Sequence, residues 1–428
     1  MACFRHRASP TCNCPGGRAD LVGLLTASRL GLYGCAIIVV YACFFVSVYR
    51  AGSWILTPLG TPVYTDFACG WIAAVEALNG HAASLYDPAT FTAVQASFVG
   101  PRDDFYPNWP YPPTFLLIMA PLAALPYFYA FVGWDAVTLL GCLVVVCAIV
   151  RRPAAIAVVL ASPFTAWNFL AAQNGFLTAS LIGGALLLLE RRPLLAGLLI
   201  GCLTYKPQFG LLFPVALIAS QQWRAIVGAA LTAALLAGAS LTAFGPEPWR
   251  VFPQELLAQS DLNLVADPDA SWGNLQSVYG LVRTFHGGAR SALLAQGGTT
   301  LAAAITVWIV WRSRTRYPLK AALLSAVALI ATPYAFMYDM AALMIPAAFL
   351  ARDQLGHGWT RAEPVVALGL FGAALLILLI FRDAPGGTTF GSTPTGTVAA
   401  LLLSGMILRL INRAGRPGIT AAVLQRTA

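Results

Sequence analysis

The chain has 428 residues, of which 58% are hydrophobic and only 10% are charged. Soluble domains carry about 25% charged residues, and here apolar runs of about 20 residues, enough to cross a membrane as a helix, recur along the chain. The net charge of +9 comes from arginines clustered beside these runs, which indicates membrane topology and argues against a nucleic-acid-binding surface. We therefore predict an all-α, polytopic transmembrane bundle of about 11–13 spans, with short helices in extracytoplasmic loops.

Residues 1–29 are predicted to be a flexible cytoplasmic segment, because several arginines precede the first apolar run at residues 30–49. That run is longer than the apolar core of a signal peptide and no small-residue cleavage site follows it, so we expect it to remain as the first span. Cys12 and Cys14 lack the second ligand pair that a zinc site needs, and we expect no metal there.

Residues 50–112 are the most polar part of the chain and are predicted to lie outside the cytoplasm. Asp66 follows the first span closely and begins a stretch with helical apolar spacing. Thr65 or Asp66 is a favourable N-cap for that helix, since both side chains accept hydrogen bonds from free amides. The sequence leaves open whether Asp66 is a cap or a functional carboxylate.

Two later apolar segments do not fit a regular series of spans. Residues 114–150 are too long for one helix, and we expect residues 114–125 to be re-entrant or to lie along the interface. Residues 193–220 are interrupted by Lys206 and Pro207, which predicts two short helices that meet at a polar point. Broken helices are tolerated at membrane depth where they line a cavity, so this break is a candidate site.

Clusters of basic residues along the rest of the chain are all assigned to the cytoplasm. This assignment puts the polar turns between them together on the outer face. The predicted organisation is a single membrane domain at residues 30–412, followed by a cytoplasmic tail at 413–428, in a multi-pass protein of the cell (plasma) membrane.

Lys206 is one of only two lysines and lies in an apolar run. A charge at membrane depth costs about 2.5–3.5 kcal/mol on insertion scales and usually marks a ligand, a partner or a pathway. The alternative is that the side chain extends to the interface. The adjoining Pro207 and Gln208 favour a cavity wall, because they break the helix and add a second donor.

Other polar residues fall at the ends of the predicted helices. Each has an ordinary structural explanation, as a cap, a helix-start proline, an interhelical bond or an interfacial aromatic. The candidates are Tyr111, Gln173, Asn174, Arg250, Trp272, Asn274, Tyr338 and Asp339.

Together these residues assemble one carboxylate, one cation and several hydrogen-bonding groups on one side of the membrane. This set suits displacement at a sugar carbon, in which a base takes a proton from an acceptor hydroxyl while a cation stabilises a departing phosphate. No serine–histidine–aspartate set, HExxH motif or Walker loop competes with it.

The chain resembles glycosyltransferase family 87, whose members have the GT-C fold and use polyprenyl-phosphate sugars. The resemblance covers most of the chain from residue 30 to 350. It is carried by residues 64–67 (Tyr-Thr-Asp-Phe) with Trp71, 85–87 (Leu-Tyr-Asp), 111–115 (Tyr-Pro-Pro-Thr-Phe), 173–175 (Gln-Asn-Gly), 204–208 (Thr-Tyr-Lys-Pro-Gln), 274–280 and 332–339.

The resemblance implies an inverting transfer outside the cytoplasm, with Asp66 as the general base. The expected donor is a polyprenyl-phosphate mannose or a similar sugar such as arabinofuranose, and the acceptor is a glycan or glycolipid. Lys206, Gln208 and Tyr111 are expected near the donor phosphate, and no cofactor is expected. The remaining candidates would bind substrate, namely Gln173, Asn174, Arg250, Trp272, Asn274, Tyr338 and Asp339.

One departure from the family concerns residues 334–339, where members often carry a histidine and this chain has Tyr338 and Asp339. It bears on how the acceptor is held and which sugar is recognised, rather than on the type of reaction. A transporter or flippase for a lipid-linked or amphipathic substrate is the main alternative, because broken helices and an intramembrane cation also occur in transporters. A partner-binding scaffold would leave Asp66 and Lys206 without a role.

Overall fold

The protein is described here by a computed structural model that covers residues 27–100, 108–261, 275–357 and 394–414. Within these ranges all regular structure is helical, and β contacts are limited to isolated bridges such as Trp54 with Leu56. The predicted all-α helical class is therefore confirmed.

Many of the described helices are joined by short connections. In chain order they are α1 (Ala27–Arg50), α2 (Asp66–Leu78), α3 (Pro88–Val99), α4 (Pro113–Ala123), α5 (Tyr127–Val150), α6 (Ala154–Leu160), α7 (Pro163–Ala171), α8 (Gly175–Leu188), α9 (Pro193–Cys202), α10 (Pro207–Gly210), α11 (Phe213–Ala219), α12 (Trp223–Phe244), α13 (Glu247–Asp261), α14 (Val278–Thr284), α15 (Ala289–Arg312), α16 (Tyr317–Ile330), α17 (Met344–His357) and α18 (Thr395–Ala414). Three 3₁₀ segments, Ser84–Tyr86, Leu203–Tyr205 and Met337–Leu343, lie between them.

Among the described residues five helices, α1, α5, α12, α15 and α18, are long and apolar enough to cross a membrane. A sixth crossing is possible if α6 and α7, which meet at 58°, form one bent span. The protein is therefore a multi-pass membrane protein. Large apolar side chains on these helices, such as Val137, Leu235 and Ile309, are exposed on the outside of the bundle, where lipid covers them.

The shorter apolar helices form the interior of the bundle. Residues are buried around the full circumference of α8 and along nearly all of α16, as expected of helices that are apolar on every face. Each has 14 residues and is about 21 Å long at 1.5 Å per residue, shorter than the roughly 30 Å hydrocarbon layer. Polar residues at one end of each helix are buried in the molecule, namely Gln173 and Asn174 before α8 and Thr332 after α16.

Both irregular segments expected from the sequence are present. The apolar run at 114–150 is divided into the short helix α4 and the long helix α5. The run at 193–220 is divided at Lys206, which has non-helical φ and ψ of −136° and 71° between a 3₁₀ turn and α10. Pro207 explains this break, because it has no amide hydrogen to continue the helix.

Helices α9 and α12 approach each other through glycines. A Cβ atom added to Gly197 would lie 2.2 Å from the carbonyl oxygen of Ala225, and one added to Gly228 would lie 2.6 Å from that of Leu194. Small residues allow backbones in a membrane to pack this closely, which strengthens dispersion contacts between helices. This contact supports α9 and therefore the break at Lys206.

We predict that Gly197→Ala lowers the stability of the protein by about 1–3 kcal/mol, because the added methyl group overpacks this contact. Thermal unfolding in detergent measures the effect. Gly238→Ala on α12 is the matched control, since no atom lies within 4 Å of its added Cβ and alanine favours a helix by about 0.5–1 kcal/mol. Equal melting temperatures for the two variants would contradict the packing argument.

Candidate active site

The Asp66 carboxylate is not needed to cap its own helix. Thr65 is the N-cap of α2, with extended φ and ψ of −140° and 169°, and its hydroxyl accepts a hydrogen bond from the Ala68 amide at 3.3 Å. Asp66 is the first residue of the helix and is partly buried. Its side chain lines a cavity instead.

The cavity lies between α2, α4, α5 and the turn before α8. The space enclosed by its lining is about 240 Å³, open solvent included. The lining residues are Asp66, Phe67, Gly70, Tyr111, Phe115, Met119, Trp134, Ala172, Gln173 and Asn174.

A hydrogen-bond network connects the polar groups of this lining. The Asn174 side-chain amide donates to the Tyr111 hydroxyl at 2.9 Å, and that hydroxyl donates to Gln173 Oε1 at 3.3 Å. Gln173 Oε1 also accepts from the Asn174 backbone amide at 3.1 Å. Since the oxygen of Gln173 is committed to these donors, its amide nitrogen is free to hydrogen-bond Asp66.

Lys206 forms a buried ion pair with Asp339. The Lys206 ammonium lies 2.7 Å from Asp339 Oδ1, and the two side chains are 5% and 0% exposed. The other carboxylate oxygen accepts a hydrogen bond from the Phe336 amide at 3.0 Å, which caps the 3₁₀ segment Met337–Leu343. Both oxygens of Asp339 therefore have a partner.

Aromatic rings surround the ammonium of this pair. Its nitrogen lies 4.7 Å from the ring centre of Tyr338, 5.8 Å from that of Phe209 and 5.9 Å from that of Tyr111. Ring faces attract a cation within about 6 Å, more strongly when it is desolvated. Tyr111 also lines the cavity, so this residue borders both the ion pair and the space beside Asp66.

The cavity and the ion pair belong to one electrostatic site. Burial raises the pKa of the Asp66 carboxyl above its ordinary value, and the negative charge of Asp339 adds to the rise. The hydrogen bond from Gln173 and the positive charge of Lys206 oppose it. A carboxylate whose pKa is raised in this way is a stronger proton acceptor than one in water.

The structure brings together seven of the residues selected from the sequence, but not all of them. Gln208 lies on α10 and is not among the residues that line the cavity. Arg250 is on the surface of α13, where its side chain is 73% exposed and pairs with Glu247 at 3.2 Å. Trp272 and Asn274 lie outside the described residues. The seven that meet are Asp66, Tyr111, Gln173, Asn174, Lys206, Tyr338 and Asp339.

Several residues of the site were not among the candidates selected from the sequence. Phe115, Met119 and Trp134 line the cavity and come from largely apolar helices, although Phe115 lies in the segment 111–115 that carries the family resemblance. Tyr205 stacks on Phe115 at 5.1 Å and its hydroxyl lies 2.6 Å from that of Thr178. Their positions depend on tertiary packing, which periodicity does not encode.

Gly175 is a further residue that holds the site together. A Cβ atom there would lie 2.1 Å from the carbonyl oxygen of Tyr338 and 2.6 Å from Asn168 Oδ1. The absence of a side chain lets the start of α8 contact the segment that carries Tyr338 and Asp339. Within the described residues, no group of three or more metal-ligating side chains accompanies this arrangement.

We predict that Tyr111→Phe lowers stability by about 1–3 kcal/mol, because it removes a hydroxyl that bonds both Gln173 and Asn174 and leaves buried polar groups short of partners. Tyr129→Phe is the control, since Tyr129 is 64% exposed on α5 and should change stability by less than about 0.5 kcal/mol. Thermal unfolding of both proteins checks this. If the two variants unfold alike, the network does not support the site.

Comparison with known families gives one match. The family model for glycosyltransferase family 87 matches residues 109–333, more than half of the chain. This range contains Tyr111, Gln173, Asn174 and Lys206, while Asp66 and Asp339 fall outside it. Comparisons with curated proteins and with solved structures give no match.

Proposed function

This chain belongs to glycosyltransferase family 87, and from that premise we propose that it transfers a sugar from a polyprenyl-phosphate donor to a glycan or glycolipid acceptor outside the cytoplasm. That it is a membrane glycosyltransferase follows from the family and from the membrane-spanning helices. The donor, the acceptor, the side of the membrane and the residue roles are our proposal.

The observation that most supports this proposal is the position of Asp66. Its carboxylate lines a cavity while Thr65 caps the helix, so the simplest structural explanation for this aspartate is removed. Burial raises its pKa, and a general base works best when its pKa is near the operating pH. Asp66 therefore has the position and the chemistry of a base.

In the proposed step the acceptor hydroxyl attacks the anomeric carbon of the donor sugar. A new carbon–oxygen bond forms while the bond from that carbon to the phosphate oxygen breaks, and the electron pair leaves with the phosphate. The hydroxyl proton passes to Asp66. Attack opposite the leaving group inverts the anomeric centre, in agreement with the inverting reaction that the family implies.

The donor phosphate is assigned to the Lys206 side of the cavity. Among the described residues the Lys206 side chain makes one hydrogen bond, to Asp339, which leaves ammonium protons for a phosphate oxygen. Tyr111 borders both this cation and the cavity, and its hydroxyl would become a second donor to the phosphate by turning its proton away from Gln173 Oε1. That Gln208 also contacts the donor phosphate stays a prediction.

The two ends of α5 support an extracytoplasmic site. Its first residue, Tyr127, has its hydroxyl 3.3 Å from that of Thr65, beside Asp66. Its last residue is followed by Arg151 and Arg152, about 36 Å away along the 24-residue helix. Since basic residues favour the cytoplasmic face, Asp66 belongs on the opposite one.

The proposal is tested by supplying purified protein with polyprenyl-phosphate mannose, polyprenyl-phosphate arabinose and a nucleotide sugar, together with lipid acceptors. We expect transfer from a polyprenyl-phosphate sugar and none from the nucleotide sugar. Asp66→Asn should reduce the rate about 10²–10⁴-fold, the range that general-base catalysis contributes. Its melting temperature should stay close to that of the unmodified protein.

Asp87→Asn is the matched control, because Asp87 is an exposed N-cap of α3 in the same extracytoplasmic segment and asparagine caps about as well. It should retain full transfer. Full transfer by Asp66→Asn would exclude Asp66 as the base. If no polyprenyl-phosphate sugar is used, the donor class is wrong, and movement of such a lipid across vesicles would then favour a flippase.

A further inference from the structure

Among the described residues the site contains two carboxylates but only one cation. Asp66 and Asp339 both interact electrostatically with Lys206, yet only Asp339 forms the 2.7 Å ion pair. An ammonium bonded to one carboxylate is largely neutralised, so the second carboxylate receives much less of its field. The choice of partner by Lys206 therefore modifies the electrostatic environment of Asp66, to which burial makes the largest contribution.

That choice is fixed by the local structure around Asp339. One oxygen of Asp339 binds Lys206, and the other caps the 3₁₀ segment through the Phe336 amide. Tyr338, the residue before Asp339, places its ring against the same ammonium. The start of α8 contacts this segment at Gly175. These contacts hold the cation on the Asp339 side of Tyr111.

Few other groups can influence Asp66. Tyrosine and cysteine are uncharged near neutral pH, and Gln173 contributes a neutral hydrogen bond. Lys206 and Asp339 are therefore the only charges described around this carboxylate. The titratable groups that face Asp66 are Cys69 from α2, Tyr111 before α4, Lys206 before α10, and Tyr338 and Asp339 between α16 and α17.

We propose that Asp339 is a positioning residue that holds Lys206 in a neutral ion pair, and so keeps the Asp66 carboxylate able to accept a proton from the acceptor hydroxyl. This inference rests on the proposed function of Asp66 as the base. It assigns to Asp339 control of base strength, in place of the direct substrate contact expected from the sequence.

The physical consequence is that the two members of the pair act on Asp66 in opposite directions. Without Asp339, the unpaired ammonium would stabilise the charged form of Asp66 and lower its pKa. Without Lys206, the unpaired charge of Asp339 would disfavour a second carboxylate and raise the pKa of Asp66. When both are removed, the two effects should largely cancel.

The test is the pH dependence of kcat for transfer at saturating donor, in the unmodified protein and in Asp339→Asn, Lys206→Met and the double variant. A base must be deprotonated, so activity falls on the acid side as pH drops through the pKa of Asp66. In the unmodified protein this acid limb should lie above the ordinary aspartate value of about 3.9.

We expect the limb to move about one pH unit lower in Asp339→Asn and about one unit higher in Lys206→Met. The double variant should lie between them, near the unmodified protein. Lys206→Arg keeps the charge and should keep the limb in place. A role of the pair in folding alone would change protein yield and melting temperature without moving the limb in opposite directions.

Asp339→Asn leaves a buried ammonium without its partner and is the variant most exposed to misfolding. Lys206→Met is the milder change, because the remaining Asp339 carboxylate keeps its hydrogen bond from the Phe336 amide. If Asp339→Asn does not fold, the inference is tested by comparing Lys206→Met with the double variant. The acid limb of the double variant, which also lacks Asp339, must then lie closer to that of the unmodified protein than the limb of Lys206→Met does.

Infrared spectroscopy measures the protonation of Asp66 directly, without turnover. The Asp66 carboxyl band is the one that disappears in Asp66→Asn, and its intensity is followed as a function of pH. Unmoved limbs and an unmoved band, or shifts in the same direction in both single variants, would overturn this inference while leaving Asp66 as the base. Full activity in Asp66→Asn would instead overturn the proposed function. The band shifts would still show whether Asp339 controls the charge of Asp66.

Discussion

The buried ion pair between Lys206 and Asp339 is the interaction on which the architecture of the site depends. It joins the break between α9 and α10 to the 3₁₀ segment that precedes α17. Both segments interrupt the regular α-helical hydrogen-bond pattern, and backbone groups released in this way within a membrane need partners from elsewhere in the interior. Removing one member of such a pair costs about 3–5 kcal/mol, because the other charge is left buried alone.

The helices around this pair explain why a polar cavity is tolerated in a largely apolar protein. Long helices such as α5 and α12 face lipid, while the short helices α8 and α16 lie inside. Because the short helices do not span the bilayer, one polar end of each is buried in protein, at Asn174 before α8 and at Thr332 after α16. Asp66 reaches the same place from the segment between α1 and α4, where α2 packs on α4 through Gly70 and Met119.

The sequence predicted those parts of the site whose residues are unfavourable in their local setting. Lys206 stood out because a charge in an apolar run is expensive, and Pro207 marked the break because it cannot continue a helix. Its partner Asp339 is 133 residues away, and no local pattern links the two. Thr65 and Asp66 are both good N-caps, so only the geometry decides between them. Arg250 has the chemistry of a sugar ligand but lies on an exposed helix.

The most direct measurement is the structure of the full-length protein in a lipid nanodisc with a non-transferable polyprenyl-phosphate sugar analogue. We expect the anomeric carbon of the sugar to face the Asp66 carboxylate and the phosphate to lie on the Lys206 side of the cavity. An analogue bound at the opposite end of α5, near Arg151 and Arg152, or outside the cavity lined by Asp66, would contradict the assignment of this site.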